Sequence, residues 1–217
     1  MSDETVAGET RPAAAAPGLA PAGAVCFPRE FPRLGSARLV LDAVGPEDAE
    51  ALYAIFRDEQ AMRYWSTTAW PDARPARVLI ERAEQGFARG EAVRWAIRVR
   101  GAPRLIGTAT LYALSTQNRR AELGYILERE HWGRGTMREA LGAILDWAFG
   151  PFGLHRVEAD TDPRNEASVR LLERLGFVRE GMLRERWIVG GEVCDSLMLG
   201  LLARDWRAEP GAPSPPR

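Results

Sequence analysis

Two glycines one residue apart, Gly133 and Gly135, stand at the entrance to an apolar helical repeat. Met137, Leu141, Ile144, Leu145 and Ala148 recur at i, i+4, i+7, i+8 and i+11, one face of an α-helix. Thr136 is placed to cap that helix, and Glu139, three residues on, has capping-box spacing. The first turn of a helix leaves backbone N–H groups without partners, and the aligned peptide dipoles make that end positive. Glycines leave the backbone open, so a phosphate or pyrophosphate fits there. The alternative is a strand-to-helix turn whose glycines serve only steric needs. Two nucleotide motifs are excluded. A dinucleotide fingerprint needs a third glycine where Arg138 stands, and a P-loop needs lysine, which the chain lacks.

The elements around this turn are legible. Before it, Leu123, Tyr125 and Leu127 alternate as in a strand, with Ile126 apolar on the other face, followed by the polar corner Glu128 to His131. Upstream, 38–42 reads as a first strand, and Gly45-Pro46-Glu47-Asp48 signals a helix burying Ala49, Leu52, Tyr53 and Phe56. An aromatic loop, Tyr64 to Trp70, leads to a second helix over 75–89 that buries Leu79, Ala83 and Phe87. Val93, Trp95, Ile97 and Val99 alternate with Arg94, Arg98 and Arg100, which predicts a strand with one wet face, and 105–114 returns beside it. Downstream come a strand over 154–161 and a helix to Leu175 with Ala167, Leu171 and Leu175 on one face. Two strands then flank Gly190-Gly191, a hairpin signal. The order is β-α-α-β-β-β-α-β-α-β-β, and the strand-helix-strand unit from Glu122 to Leu154 implies one parallel pair.

The chain has 217 residues, enough for one domain with a substantial core. Its net charge of −1 provides no global field for nucleic acid or an anionic membrane, and no apolar run is long enough to span a bilayer. Cys26 and Cys194, far apart, read as unpaired thiols of a reducing, cytoplasmic compartment. His131 and His155 are too isolated to hold a metal, so none is expected.

The residues Glu122-Leu-Gly-Tyr125 followed by Trp132-Gly-Arg-Gly135 resemble the coenzyme A loop of the GNAT acyltransferases. Glu130 departs from that loop's usual opening Gln or Arg. Asn165-Glu-Ala-Ser168 and Leu171 to Phe177, ending in Leu-Gly-Phe, resemble the following helix of the Rim-type group, which contains acetyltransferases of ribosomal-protein N-termini. The resemblance implies an α/β (α+β) GNAT fold: a mixed, mostly antiparallel sheet with a parallel, splayed strand pair and flanking helices. It covers an N-acetyltransferase domain over 36–207; the Ala-, Pro-, Gly- and Glu-rich composition before it reads as a disordered or loosely attached arm over 1–35, and the Pro-rich end as a disordered tail over 208–217.

It also implies a reaction, transfer of an acetyl group from acetyl-CoA to a primary amine. The expected acceptor is a protein N-terminus; the alternatives are a small-molecule amine or a non-catalytic acyl-CoA sensor, in a monomer or homodimer. The pantetheine arm would pair with the backbone of Tyr125, Ile126 and Leu127. The pyrophosphate would lie on His131, Trp132, Gly133, Arg134, Gly135 and Thr136, with charge from Arg134, and Asn165 would fix the following helix. The amine must lose a proton and the thiolate must be stabilised. Glu122, on the strand face opposite Leu123 and Tyr125, is the candidate base, with Glu180 and Glu185 as rivals. The tyrosine acid of many family members is replaced by Leu172, so Ser168 is the candidate donor. Trp95, Trp147 and Trp187 are expected in the core, and 179–186 as a wet strand face.

Overall fold

A computed structural model describes residues 25–206. Eight strands form one sheet: β1 (Leu34–Gly35), β2 (Leu39–Ala43), β3 (Val93–Val99), β4 (Leu105–Ser115), β5 (Arg120–Leu127), β6 (Arg156–Thr161), β7 (Val178–Val189) and β8 (Glu192–Leu202). Their order is β1-β2-β3-β4-β5-β6-β8-β7. Every neighbouring pair is antiparallel except β5 and β6, which are parallel. The helices are α1 (Ala49–Phe56), α2 (Glu59–Met62), α3 (Arg74–Ala88), α4 (Thr136–Phe149) and α5 (Glu166–Arg174). This is the expected mixed sheet with one parallel pair and flanking helices.

The period-two strands divide their side chains between two cores. On one face Leu39, Leu41, Trp95, Ile97, Leu123 and Val157 pack with α4 and α5. All five apolar positions expected on α4 are buried there. On the other face Ala96, Leu105 and Ile126 pack with Leu52, Ile55 and Phe56 of α1 and Ile80 of α3. Gly190 and Gly191, at φ 57° and 88°, form the turn of the β7–β8 hairpin.

Three expectations are corrected. The Arg94–Arg98 face of β3 is not wet, because α1 to α3 cover it. Arg98 is buried and donates to Asp42 Oδ1 at 2.8 Å and to both oxygens of buried Asp48 at 2.7 and 2.9 Å. The fully buried positions of α3 are Ala76, Ile80 and Gly86; Leu79 and Phe87 are half-buried against the two cores as expected in kind, and Ala83 lines a cavity. Those of α5 are Val169 and Leu172; Leu171 packs half-buried against the core, while Ala167 is exposed. An apolar repeat marks a face without saying how deeply each position on it is buried.

The third correction concerns the N-terminal arm. Residues 1–24 and 207–217 lie outside the described residues, but 25–35 are not loosely attached. Val25 is buried, and the rings of Phe27 and Phe31 each lie 5.2 Å from that of Phe87. Phe31 also meets Trp95 edge-on, and Trp95 Nε1 donates to the Pro32 carbonyl at 2.7 Å. Val25 and two aromatic anchors, Phe27 and Phe31, supply the apolar area that the Ala- and Pro-rich stretch before them lacks. Phe31→Ala is therefore expected to cost about 2 kcal/mol, lowering the melting temperature by roughly 4–8 °C. Thermal unfolding followed by circular dichroism checks this.

Candidate active site

The parallel pair is short. It joins Arg120 to Arg156, Ala121 to Val157 and Glu122 to Glu158, and there it ends. Beyond Glu122, β5 stays paired with β4 as far as Leu127, while β6 stays paired with β8 as far as Thr161. Over 123–127 one edge of β5 therefore has no ladder partner, and its backbone groups face an opening. Tyr125 crosses that opening: its hydroxyl lies 2.7 Å from Ser168 Oγ on α5. Burial pushes the Tyr125 phenol up to about 12, against the opposing pull of Ser168.

At its far end β5 runs into a corner held from several sides. Arg104 donates to both oxygens of Glu128 at 2.7 Å, and Arg129 bonds Asp58 and Gln60 around α2. Trp132 Nε1 donates to the Leu127 carbonyl at 2.8 Å, leaving the indole half exposed. His131 is half-buried, and Arg134 is exposed. Gly133 and Gly135 have φ of 70° and 71°. A Cβ on Gly133 would meet nothing within 4 Å, and on Gly135 only an Arg38 nitrogen at 3.8 Å. The loop needs these glycines for their left-handed backbone, and the space over them is open.

The cap of α4 differs from expectation. The N-cap is Gly135, Thr136 is the buried first residue of the helix, and no side chain bonds the cap. Glu139 reaches out of the helix instead. It accepts from Ser36 Oγ at 2.6 Å, from the Arg38 backbone at 2.9 Å and from Arg38 Nε at 2.6 Å, and the Arg38 guanidinium also bonds the Arg134 carbonyl. The β1–β2 turn thereby braces the loop from behind, and the N–H groups of the first turn are left free of side-chain caps.

On α5, Asn165 Oδ1 accepts from the Ser168 backbone at 3.1 Å and is the N-cap, which fixes the start of the helix as expected. Leu172 is 1% exposed and belongs to the core. Glu122 lies opposite Tyr112 on β4, near enough for its carboxylate to act on the phenol. Burial, and then the Glu122 charge, raise the Tyr112 phenol to about 12. Of the rival carboxylates, Glu180 is ion-paired with Arg156. Glu185 is exposed in a β-bulge at φ 55°, its backbone bonded to Asp195 at 2.8 Å.

Two cavities meet at the opening. One of about 920 Å³ lies between α3, the aromatic loop and β3 to β5; it is lined by Trp65, Trp70, Leu79, Arg94 and Thr110 among others. The other, of about 180 Å³, lies toward β6 and β8 and includes Asp160, Asn165, Glu192 and Ser196. Tyr112, Gly124, Tyr125, Trp65, Ser66 and Trp187 border both. Phe56 places the aromatic wall, with Trp70 stacked on it at 4.3 Å and Trp65 edge-on at 5.4 Å. Trp187 is corrected from the core to the cavity rim: it is 41% exposed and its Nε1 reaches Asp160 at 3.4 Å. Glu122 itself borders neither cavity; Tyr112 stands between. Sequence reasoning did not single out Tyr112, whose signal was only its place beside Glu122 in a hairpin.

A family model described as an acetyltransferase (GNAT) domain matches residues 38–178. The uncharacterized N-acetyltransferase p20 of Bacillus licheniformis is 35% identical over 80% of this chain and 97% of its own length. The [ribosomal protein uS5]-alanine N-acetyltransferase of Escherichia coli is 34% identical, over 39% of this chain and 43% of its own. The structure of spermidine N-acetyltransferase from Vibrio cholerae in complex with CoA and spermine superposes with a TM-score of 0.69. It is 25% identical and covers 78% of this chain and 98% of its own.

The brace behind the loop has a pH signature. Burial pushes the Glu139 carboxyl up, but Ser36 and Arg38 together hold it below its ordinary 4.5. A lowered folded value stabilises the protein above the ordinary value, and that contribution is lost as pH falls through the lowered one. Glu139→Gln should therefore lower stability by about 1–2 kcal/mol at neutral pH and by less near pH 3, flattening the acid limb. Urea unfolding between pH 3 and 7 measures it; an equal loss at both ends would contradict the assignment.

Proposed function

The chain belongs to the GNAT acetyltransferase family, and we propose that it transfers an acetyl group from acetyl-CoA to the N-terminal α-amine of a protein, as in the Rim-type group. The observation that carries this reading is the opening of the parallel pair after Glu122 and Glu158, in line with an uncapped, glycine-bearing helix N-terminus. A thioester arm laid along the free edge of Tyr125, Ile126 and Leu127 would enter the protein there. Its pyrophosphate would rest on the backbone of His131 to Thr136 with Arg134 beside it.

The amine approaches from the cavity side, where Gly124 has no side chain to block it. Glu122 takes the proton of the ammonium through the Tyr112 hydroxyl or a water, since the carboxylate does not border either cavity. The nitrogen lone pair attacks the thioester carbonyl, the C–S bond breaks, and the thiolate receives a proton from the Tyr125–Ser168 hydroxyl pair. Asn165 holds Ser168 in place through the helix cap. The products are the N-acetyl amine and free coenzyme A. Support for a protein acceptor comes from the uS5-alanine N-acetyltransferase relative. A small amine is the second reading, supported by the spermidine N-acetyltransferase that superposes on most of this chain.

Thiol release from acetyl-CoA, screened over N-terminal peptides, polyamines and aminoglycosides, tests the acceptor; turnover of polyamines without peptides would overturn the protein reading. Two substitutions test the site. Gly135→Asp sets a carboxylate against the pyrophosphate, and acetyl-CoA should bind at least tenfold more weakly, about 1.4 kcal/mol, by calorimetry on the folded variant. Glu122→Gln should lower turnover by about 10²–10⁴ and shift the rising limb of the pH–rate curve. Ser168→Ala should cost less and leave that limb in place. A Glu122→Gln enzyme with wild-type turnover would remove Glu122 from the mechanism.

A further inference from the structure

Two arginines on the same face of β3 are treated differently. Arg98 is met by Asp42 and Asp48. Arg94, four residues nearer the start of the strand, has no carboxylate partner among the described residues. It is part-buried on the floor of the larger cavity, and burial pulls its guanidinium down to about 10, still charged at neutral pH. Holding an unpaired charge out of water is costly unless something answers it. The other charges around that cavity do not. Asp72 is already committed to Arg74 through both oxygens, and Arg82 adds a second positive charge at the exposed rim.

The register ties Arg94 to the site of chemistry. Arg94 pairs with Thr110 on β4, and Thr110 pairs with Gly124 on β5, so the three lie in one row across the sheet. Two strand spacings separate the ends of that row, about 10 Å from Cα to Cα. Gly124 follows the last parallel pair by two residues and borders both cavities. The smaller cavity on its other side is lined by Asp160, Asp162, Glu192 and Asp195. Arg186 pairs with Asp160, Arg164 with Asp162 and Glu192, and Arg63 with Glu192, so among the described residues Asp195, which accepts from the Glu185 backbone, is the lining carboxylate without an arginine. An ammonium fits on that side of Gly124, and an anion fits on the Arg94 side, beneath the Trp65 and Trp70 wall.

We propose that the acceptor carries a carboxylate or equivalent anion on the same molecule as its reactive amine, and that Arg94 pairs with that anion. The inference rests on the amine-acetylation reading and narrows it. A strand of peptide advances about 3.3 Å per residue, so an acidic side chain at the second or third position of an N-terminus reaches Arg94. A short ω-amino acid presents the same chemistry. A polyamine does not, since it would set further positive charge against Arg94 and Arg82.

The test compares matched acceptors by thiol release. One arm pairs peptide amides beginning Ala-Glu or Ala-Ala-Glu with their Gln counterparts; the other pairs 4-aminobutyrate with 4-aminobutanamide. In the wild-type enzyme the acidic member of at least one arm should have a tenfold or greater advantage in kcat/KM. Arg94→Gln should collapse that ratio toward one, and Arg94→Lys should restore part of it, while the acetyl-CoA dissociation constant stays the same in all three. Should Arg94→Gln fail to fold, the wild-type ratios and the Lys variant still decide. Equal rates for acids and amides in the wild type, or a ratio that survives Arg94→Gln, would overturn the proposal. Peptides accepted without regard to acidity, with no preference for 4-aminobutyrate over its amide, would overturn it while leaving the protein N-terminus reading intact. A preference confined to 4-aminobutyrate would support it and overturn the protein reading; turnover of neither arm would overturn both.

Discussion

A strand cannot satisfy its backbone on both edges if its neighbours diverge, and β5 lives under that constraint. β4 holds it along its whole length, while β6 leaves it after three residue pairs because β6 is held to β8 over six. The two halves of the sheet are thus each continuous, and the break falls between them. Backbone groups exposed at such a break need a partner, whether water or an extended ligand. Tyr125 and Ser168 span the gap on one face, Gly124 leaves it open on the other, and the corner after Leu127 turns the chain directly into the N-terminus of α4. The loop, the helix end and both cavities owe their positions to that one divergence.

Around the break, charge is used in two ways. Where the protein needs rigidity, arginines are answered by its own acids. Arg98 locks β2, β3 and the turn before α1, Arg156 links Glu158 to Glu180, and Arg38 ties the β1–β2 turn to Glu139 and the glycine loop. These forked, planar contacts suit arginine's guanidinium, and the chain contains no lysine. Beside the break one arginine is left unanswered: Arg94, which has no carboxylate partner among the described residues, lies on one side of Gly124, while on the other side Asp160, Asp162 and Glu192 are met by Arg186, Arg164 and Arg63. Tyr112 and Glu122, one row along, couple a phenol to a carboxylate at the same place.

The sequence by itself determined the elements and most of their order, because those depend on local signals. The period of Met137 to Ala148, the Gly190-Gly191 turn and the strand-helix-strand crossover each survive without knowledge of their surroundings. It also placed the glycine turn at the start of a helix, since two glycines ahead of an apolar helical repeat are a local signal. Asn165 as a cap was legible for the same reason, a side chain acting on backbone three residues away.

Only the tertiary structure decided which apolar and charged positions meet. Ala83 has the spacing of a core face but walls a cavity, Leu79 packs on the core and borders that cavity at once, and Trp187 borders one rather than filling the core, because periodicity does not say what packs opposite. Phe27 and Phe31 sit in an Ala- and Pro-rich stretch that reads as unattached; Phe87, some sixty residues later, gives them a partner. Arg94 and Arg98 look alike as alternating residues of one strand. Asp48 comes from a separate turn and Tyr112 from the next strand, and no spacing within 93–99 could tell the satisfied cation from the open one. Contacts between residues far apart in the chain are set by how the sheet halves part, and that is a property of the whole fold.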